Sequence, residues 1–260
     1  MSDKNKIYLI GAGNLGLHLA KALKKTSYEF TGVFSRQPQN ASMAAEILQC
    51  KAVDNLYNIP DNTEIIIISV PDSILIEIAK KLKAPEHIVI HTSGSVEMNI
   101  LKQISPAYGV IYPLQTFSKK REISFNNLDV FVEASDNNVL RKIYNMLNSI
   151  GANPHLLNSE KRAILHLAAV FACNYTNFMI YNAEKILEKY SIPREYLYPL
   201  IKETVLKAIE KGARDSQTGP AIRGDKIIID KHLKLLSDNK LAKPIYELLS
   251  SLILKEFGKD

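Results

Sequence analysis

Through the first 150 residues, apolar positions come in short β-branched runs, each followed by a polar or glycine-rich turn. The runs are Lys6-Ile7-Tyr8-Leu9-Ile10, Phe30-Thr31-Gly32-Val33-Phe34, Glu64 to Val70, Ile88 to His91, Gly109 to Tyr112 and Asp129 to Glu133. Between them apolar residues recur with a helical period, as at Leu15, Leu19 and Leu23, and again over Ser42 to Leu48, Ile74 to Leu82 and Asn138 to Ile150, where Gly151 stops the helix. The all-apolar run Ile65-Ile66-Ile67-Ile68 suits a parallel strand buried on both faces. This alternation predicts an α/β fold, a Rossmann-like doubly wound sheet.

From about Ser159 the period turns helical and stays so, over Glu160 to Tyr190, Arg194 to Lys211, Ile227 to Leu236 and Ala242 to Phe257. Two domains are expected: a dinucleotide-binding domain over 1–155 and an all-helical domain over 156–260. Ala163 to Cys173 is apolar on nearly every side, which predicts a helix buried by other helices or by a partner subunit. His166 and Asn174 lie eight residues apart on one face of it, with Asn177 on the same side. They read either as satisfied core polar groups or as contacts to substrate or cofactor.

The first strand runs straight into Gly11-Ala12-Gly13-Asn14-Leu15-Gly16, a G-x-G-x-x-G turn opening a helix. The first glycine permits the tight turn, the second lets backbone approach a pyrophosphate, and the third lets helix and strand pack closely. The helix N-terminus then favours phosphate charge. The end of the second strand selects the cofactor. It reads Ser35-Arg36-Gln37, with no acidic residue from Thr31 to Asn40. An NAD site usually places a carboxylate there for the ribose 2′-hydroxyl, whereas Arg accommodates a 2′-phosphate. NADP(H) is therefore expected, against the alternative of Arg36 as a solvated surface charge.

Ligands of open α/β sheets sit outside the carboxyl ends of the strands. Ser69, Val70 and Pro71 should then border the cofactor, and His91 and Ser93 become active-site candidates. A strand-end histidine bonded to backbone, and serines capping a helix, are the bland alternatives. Thr218-Gly219-Pro220-Ala221-Ile222-Arg223-Gly224-Asp225 is dense in turn formers and carries both signs of charge.

Composition narrows the class without changing it. At 260 residues and 46% hydrophobic the chain supports a real core. The net charge of +6 is spread in short runs such as Lys24-Lys25, Lys80-Lys81 and Lys119-Lys120-Arg121, without interleaved aromatics, so no nucleic-acid partner is expected. Cys50 and Cys173 are far apart, giving no disulfide framework or metal site and fitting a reducing cytoplasm. No signal peptide is read, and no segment is expected to span a bilayer.

With these pieces placed, the chain resembles an uncharacterised family with a Rossmann-like N-terminal domain and an all-helical C-terminal domain of unknown function, provisionally described as NADP oxidoreductases. The glycine motif, His91-Thr92-Ser93-Gly94-Ser95, Tyr112-Pro113-Leu114-Gln115-Thr116-Phe117, His166 through Asn174, and Thr218-Gly219-Pro220 with Arg223-Gly224-Asp225 carry the match over nearly the whole chain. More distantly the layout is similar to pyrroline-5-carboxylate reductase, deazaflavin-dependent NADP reductases and β-hydroxyacid dehydrogenases. That resemblance implies a homodimer built by the helical domain, which would cover the nicotinamide. Two departures stand out. The lysine that β-hydroxyacid dehydrogenases carry on the first long helix is missing from its buried part, Lys161 sitting at its start. The Ser-Gly-Ser-Gly-Pro segment of pyrroline-5-carboxylate reductase is missing too, so neither substrate carries over.

The sequence thus points to an NADP-dependent oxidoreductase acting on a small carbonyl, hydroxyl or imine metabolite. His166 is the expected proton donor or acceptor and His91 the second choice, since imidazole can both give and take a proton near neutral pH. Asn174 and Ser93 would orient the substrate and Arg223 hold a carboxylate. The rival readings are a non-catalytic NADP(H) sensor, favoured by the missing lysine, and hydride exchange with a flavin or deazaflavin.

Overall fold

The computed structural model describes residues 5–118 and 121–258, so Lys119 and Lys120 of the basic run lie outside the described residues. The chain forms two compact units, Met1–Asn174 and Tyr175–Asp260.

The first unit is built on one eight-stranded sheet in the order β3-β2-β1-β4-β5-β6-β7-β8. Its elements are β1 (Lys6–Ile10), α1 (Asn14–Lys24), β2 (Glu29–Phe34), α2 (Pro38–Leu48), β3 (Lys51–Val53), β4 (Ile65–Ile68), α3 (Asp72–Lys81) and β5 (Ile88–His91), then a 3₁₀ turn at Met98–Gln103, β6 (Tyr108–Pro113), β7 (Asp129–Ala134), α4 (Asn137–Ser149), β8 (Asn153–Leu156) and α5 (Ser159–Ala169). The α/β, Rossmann-like reading holds. Alternate residues of the central strands feed two apolar layers. Ile7, Leu9, Ile65 and Ile67 meet α1, α2 and α4 on one face, while Tyr8, Ile10, Ile66 and Ile68 meet α3 and the 3₁₀ turn on the other. All four isoleucines of β4 are fully buried, each contributing about 1.5–3 kcal/mol.

Three features depart from the sequence expectation. β7 runs antiparallel to β6, since the connection between them contains no helix and a loop suffices to reverse the chain. β3 and β8, neither expected, are short outer strands. Their residues are mostly exposed, so they carry no apolar run to read. The third concerns the long helix. α5, a π-helical stretch at Val170–Tyr175 and α6 (Thr176–Lys189) form one 31-residue helix, Ser159–Lys189. Its length and composition are those of a bilayer-crossing segment, correcting the expectation that no stretch is long and apolar enough. Length and composition do not establish a membrane segment, and His166, Asn174 and Asn177 interrupt this one. Within the chain its apolar side chains stay largely uncovered: Ile164 is 62%, Leu167 57% and Phe171 63% exposed.

The second unit is helical throughout: α6, a 3₁₀ turn at Arg194–Leu197, α7 (Tyr198–Lys211), α8 (Lys226–Leu235) and α9 (Ala242–Phe257). Asp225 caps α8 by accepting from the Ile228 amide, and a 2.7 Å hydrogen bond between His232 Nδ1 and the Tyr246 hydroxyl ties α8 to α9.

Candidate functional site

Chain order reverses between β1 and β4, and the register aligns their ends: Ile10 pairs with Phe34 on one side and Ile68 on the other. Gly11, Ser35 and Ser69 therefore leave the sheet side by side, at the topological switch point where open sheets bind ligands. Gly11 has φ +106°, and a Cβ there would fall inside the Ser69 carbonyl. A Cβ on Gly16 would strike the Gly11 carbonyl oxygen and the Ser69 side chain, so this glycine sets how closely α1 approaches the β4 end. Gly13 is different. A Cβ there would meet nothing within 4 Å, which leaves open space above the turn. No side chain caps α1 at Gly13, so its first amides stay available to an anion.

A hollow of about 370 Å³ opens at this point. Gly11, Ala12, Gly13, Ser35, Arg36, Ser69, Val70 and Pro71, all expected from the sequence, line it together. Arg36 is exposed, just past β2, with Gln37 and Asn40 beside it in the lining. Asn14, Leu15 and Gly16 do not line it. Asn14 Nδ2 donates instead to the Phe117 carbonyl at 3.0 Å, while Leu15 is half-buried and Gly16 packs inward. A larger hollow of about 1040 Å³ lies along the outer side of α1, reaching Lys21, Met43 and Phe125. It shares Ala12, Gly13 and Asn40 with the first but carries no β4 or β2 strand end, so the smaller one has the dinucleotide features.

Beyond β4 the strand ends are cross-linked by hydroxyls. Thr92 Oγ1 donates to Ser69 Oγ at 3.1 Å, and Ser93 Oγ accepts from the amides of Ser95 and Val96 at 3.2 and 3.0 Å. Ser93 thus spends its oxygen holding the turn after β5. Ser95 donates to the Asp72 carboxylate at the start of α3. His91 is fully buried, and its Nδ1 accepts from the Ser93 amide at 3.1 Å. Burial first, then the Arg162 guanidinium, pushes this imidazole down to about 3; the Glu97 backbone and Asp72 pull the other way, though Nε2 has no partner at hydrogen-bond geometry. His91 is held neutral. Its placement at the end of β5 is as expected, but its side chain is turned into the protein.

His166 meets a different partner. Its Nδ1 lies 2.9 Å from the hydroxyl of Tyr112 on β6, the rings set edge to face at 77°. Gly94 makes this contact possible, since a Cβ there would sit 2.7 Å from His166 Nδ1 and 2.8 Å from Tyr112 Cε2. Tyr112 is buried, which raises its hydroxyl above the usual phenol range and keeps it protonated. The sequence singled out Tyr112 only as part of a motif, although a tyrosine at the carboxyl end of a parallel strand was a readable signal.

Asn174 lies in the π-helical stretch and is exposed. It lies eight residues, about two helical turns, beyond His166, so the two side chains leave the same side of the helix. Arg223 belongs to the second unit, exposed in the turn ahead of α8. Among the described residues no group of three or more His, Cys, Asp or Glu side chains is placed to hold a metal ion, and both cysteines are free thiols.

Comparison with known proteins agrees with this layout. Residues 2–115 match a Rossmann-like domain and residues 129–253 a domain of unknown function, DUF2520. A Bacteroides fragilis protein named "putative NADP oxidoreductase" is 37% identical, with a TM-score of 0.91 over 98% of this chain and 99% of that one. The chain belongs to this family. Two more distant structures share the fold of the Rossmann-like/DUF2520 protein. One is an imine reductase from Myxococcus stipitatus in complex with NADP+, at 17% identity and TM-score 0.68 over 98% of this chain and 96% of that one. The other is a 1-pyrroline-5-carboxylate reductase from Streptococcus pyogenes, at 15% identity and TM-score 0.61 over 98% of both chains. No curated protein matches the sequence.

Proposed function

We propose that this Rossmann-like/DUF2520 protein is a soluble, cytoplasmic NADP-dependent oxidoreductase acting on a small carbonyl, hydroxyl or imine substrate. The observation that carries the reading is one hollow joining the Gly11–Gly13 turn, the uncapped start of α1 and Arg36. NADPH, when bound, supplies the hydride. The α1 amides would hold its pyrophosphate and Arg36, with Ser35, its 2′-phosphate. The names of the relatives, an NADP oxidoreductase and an NADP+-bound imine reductase, support the same class.

The proton belongs to His166. The Tyr112 hydroxyl engages Nδ1 at 2.9 Å. In the assignment proposed here its oxygen accepts from Nδ1–H, which leaves Nε2 to exchange a proton with the substrate heteroatom. His166 gives that proton in reduction and takes it in oxidation, and Asn174, two turns along the same side of the helix, orients the substrate. His91 and Ser93 act one step back, holding the turn that carries Gly94.

Titration with NADPH and NADH, followed by NADPH-oxidation assays against small keto acids, aldehydes and cyclic imines, tests the proposal. Tight NADPH binding with turnover supports it; tight binding without turnover of any compound favours the sensor reading. Arg36→Asp should weaken NADPH about tenfold to hundredfold while sparing NADH, because a charge-assisted hydrogen bond contributes about 1.5–3 kcal/mol. Equal NADPH affinity in the two proteins would rule out Arg36 as the 2′-phosphate ligand.

The exposed apolar side chains of the long helix support a homodimer. Ala163 to Ile180 contains no Asp, Glu, Lys or Arg, and an apolar surface of that extent on a soluble protein marks an interface. A second copy of the chain would bury it. Sedimentation velocity should give twice the chain mass for the native protein and a shift toward the single chain for Leu167→Glu; a native monomer would refute this.

A further inference from the structure

Among the described residues Arg162 is the largest fully buried side chain, and it takes no part in the hollow or in the Tyr112–His166 pair. Its Nη1 donates to Glu133 Oε2 at 2.6 Å. Its Nη2 donates to the Val96 carbonyl at 2.6 Å and to Ser159 Oγ at 3.1 Å. Ser159 in turn donates to the same Glu133 oxygen at 2.6 Å and accepts from the Met98 amide at 3.0 Å. The guanidinium Nε is buried and has no hydrogen-bond partner among the described residues.

Burying a charge and leaving one of its N–H groups unsatisfied is costly, and apolar residues of similar volume usually fill such a place at least as well. What the arrangement achieves is geometric. A planar fork fixes three elements against one another: β7 through Glu133, the turn after β5 through Val96, and α5, which carries Arg162. The proton-handling pair borders those elements, since Tyr112 on β6 is paired with Phe131 of β7. His166 is one helical turn beyond Arg162 on α5, and Gly94, packed against both rings, is two residues before Val96.

We infer that Arg162 is a positioning residue, whose three-way clamp sets the His166–Tyr112 hydrogen bond by locking α5 to the turn after β5 and to β7. The inference rests on the proposed role of that pair. The field of the guanidinium acts in the same place, favouring neutral His91 and working against the rise of the Tyr112 hydroxyl.

The test uses the full-length protein labelled with ¹⁵N-histidine, with the His166 ring nitrogens assigned by their loss in His166→Gln. Tyr112→Phe should move the His166 Nδ1 signal, because it removes the oxygen that Nδ1 meets. Arg162→Lys keeps the charge and loses the fork, so it should move the signal in the same direction while leaving NADPH affinity within about twofold. An Arg162→Lys protein that keeps the native His166 signal while Tyr112→Phe shifts it would overturn the inference. So would loss of NADPH affinity along with the shift, which would mean that Arg162 merely holds the domain together. Should Arg162→Lys not fold, Glu133→Ala keeps the guanidinium and removes its acceptor on β7, and a native His166 signal there overturns the inference equally. An unmoved signal in Tyr112→Phe itself would remove the pair, and with it the inference, without touching the NADPH-binding reading.

Discussion

Gly11→Ala is expected to abolish NADPH binding and to destabilise the first unit by on the order of 3 kcal/mol or more, lowering the melting temperature by roughly 6–12 °C. Two terms add. An L-residue at φ +106° costs about 1–2 kcal/mol on backbone grounds alone. The new methyl would also fall inside the Ser69 carbonyl, which is backbone at the end of a buried strand and cannot swing away. Gly13→Ala is the control. No atom lies within 4 Å of its would-be Cβ, so the protein should melt as the native one does yet bind NADPH weakly, because the methyl occupies the space a pyrophosphate needs. Thermal unfolding and fluorescence titration of both variants decide the matter. A Gly11→Ala protein with native melting and native affinity would show that the turn is not sterically fixed.

His166→Ala should cost about 10²-fold or more in turnover on whichever substrate the panel identifies, with NADPH affinity retained, since the side chain is not among those lining the nucleotide hollow. Tyr112→Phe leaves the imidazole and removes only the group that fixes its tautomer, so its loss should be smaller, about tenfold. Single-turnover kinetics at saturating NADPH separate the two effects from binding. A folded His166→Ala protein with native turnover would transfer the proton role elsewhere, and Tyr112 would be the first residue to test.

How far each part of the site could be read from the chain follows from how local its cause is. The glycine turn was legible because its requirements fall on six consecutive residues between a strand and a helix. That Ser69, Val70, Pro71, Ser35 and Arg36 line one hollow was legible because parallel strands deliver their carboxyl ends to one edge, so position along each run was enough. His91 shows the limit of that argument. Its backbone ends β5 as expected, but which way the side chain points depends on pairing with β4 and β6, and it points into the core.

Arg162 was not legible. A charged residue in the first turn of a helix usually faces water, and only the facing carboxylate of Glu133, 29 residues earlier on β7, makes burial tolerable. A glutamate inside Val130-Phe131-Val132-Glu133 was the single hint. The antiparallel turn into β7 and the outer strands β3 and β8 were missed for a related reason. Outer strands bury little, so no apolar period marks them, and strand direction is set by the connection in space rather than by composition.

By itself, then, the sequence determined the fold class, the glycine turn, the arginine just past β2 and a long helix too apolar to stand alone, because each follows from periodicity or from residues adjacent in the chain. Tertiary structure alone decided that His166 meets Tyr112, that Gly94 makes room for them and that His91 is inside. It also made Arg162 the pin between α5, β7 and the turn after β5. Those contacts join residues tens of positions apart, and only packing of the helix against the sheet brings them within hydrogen-bond reach.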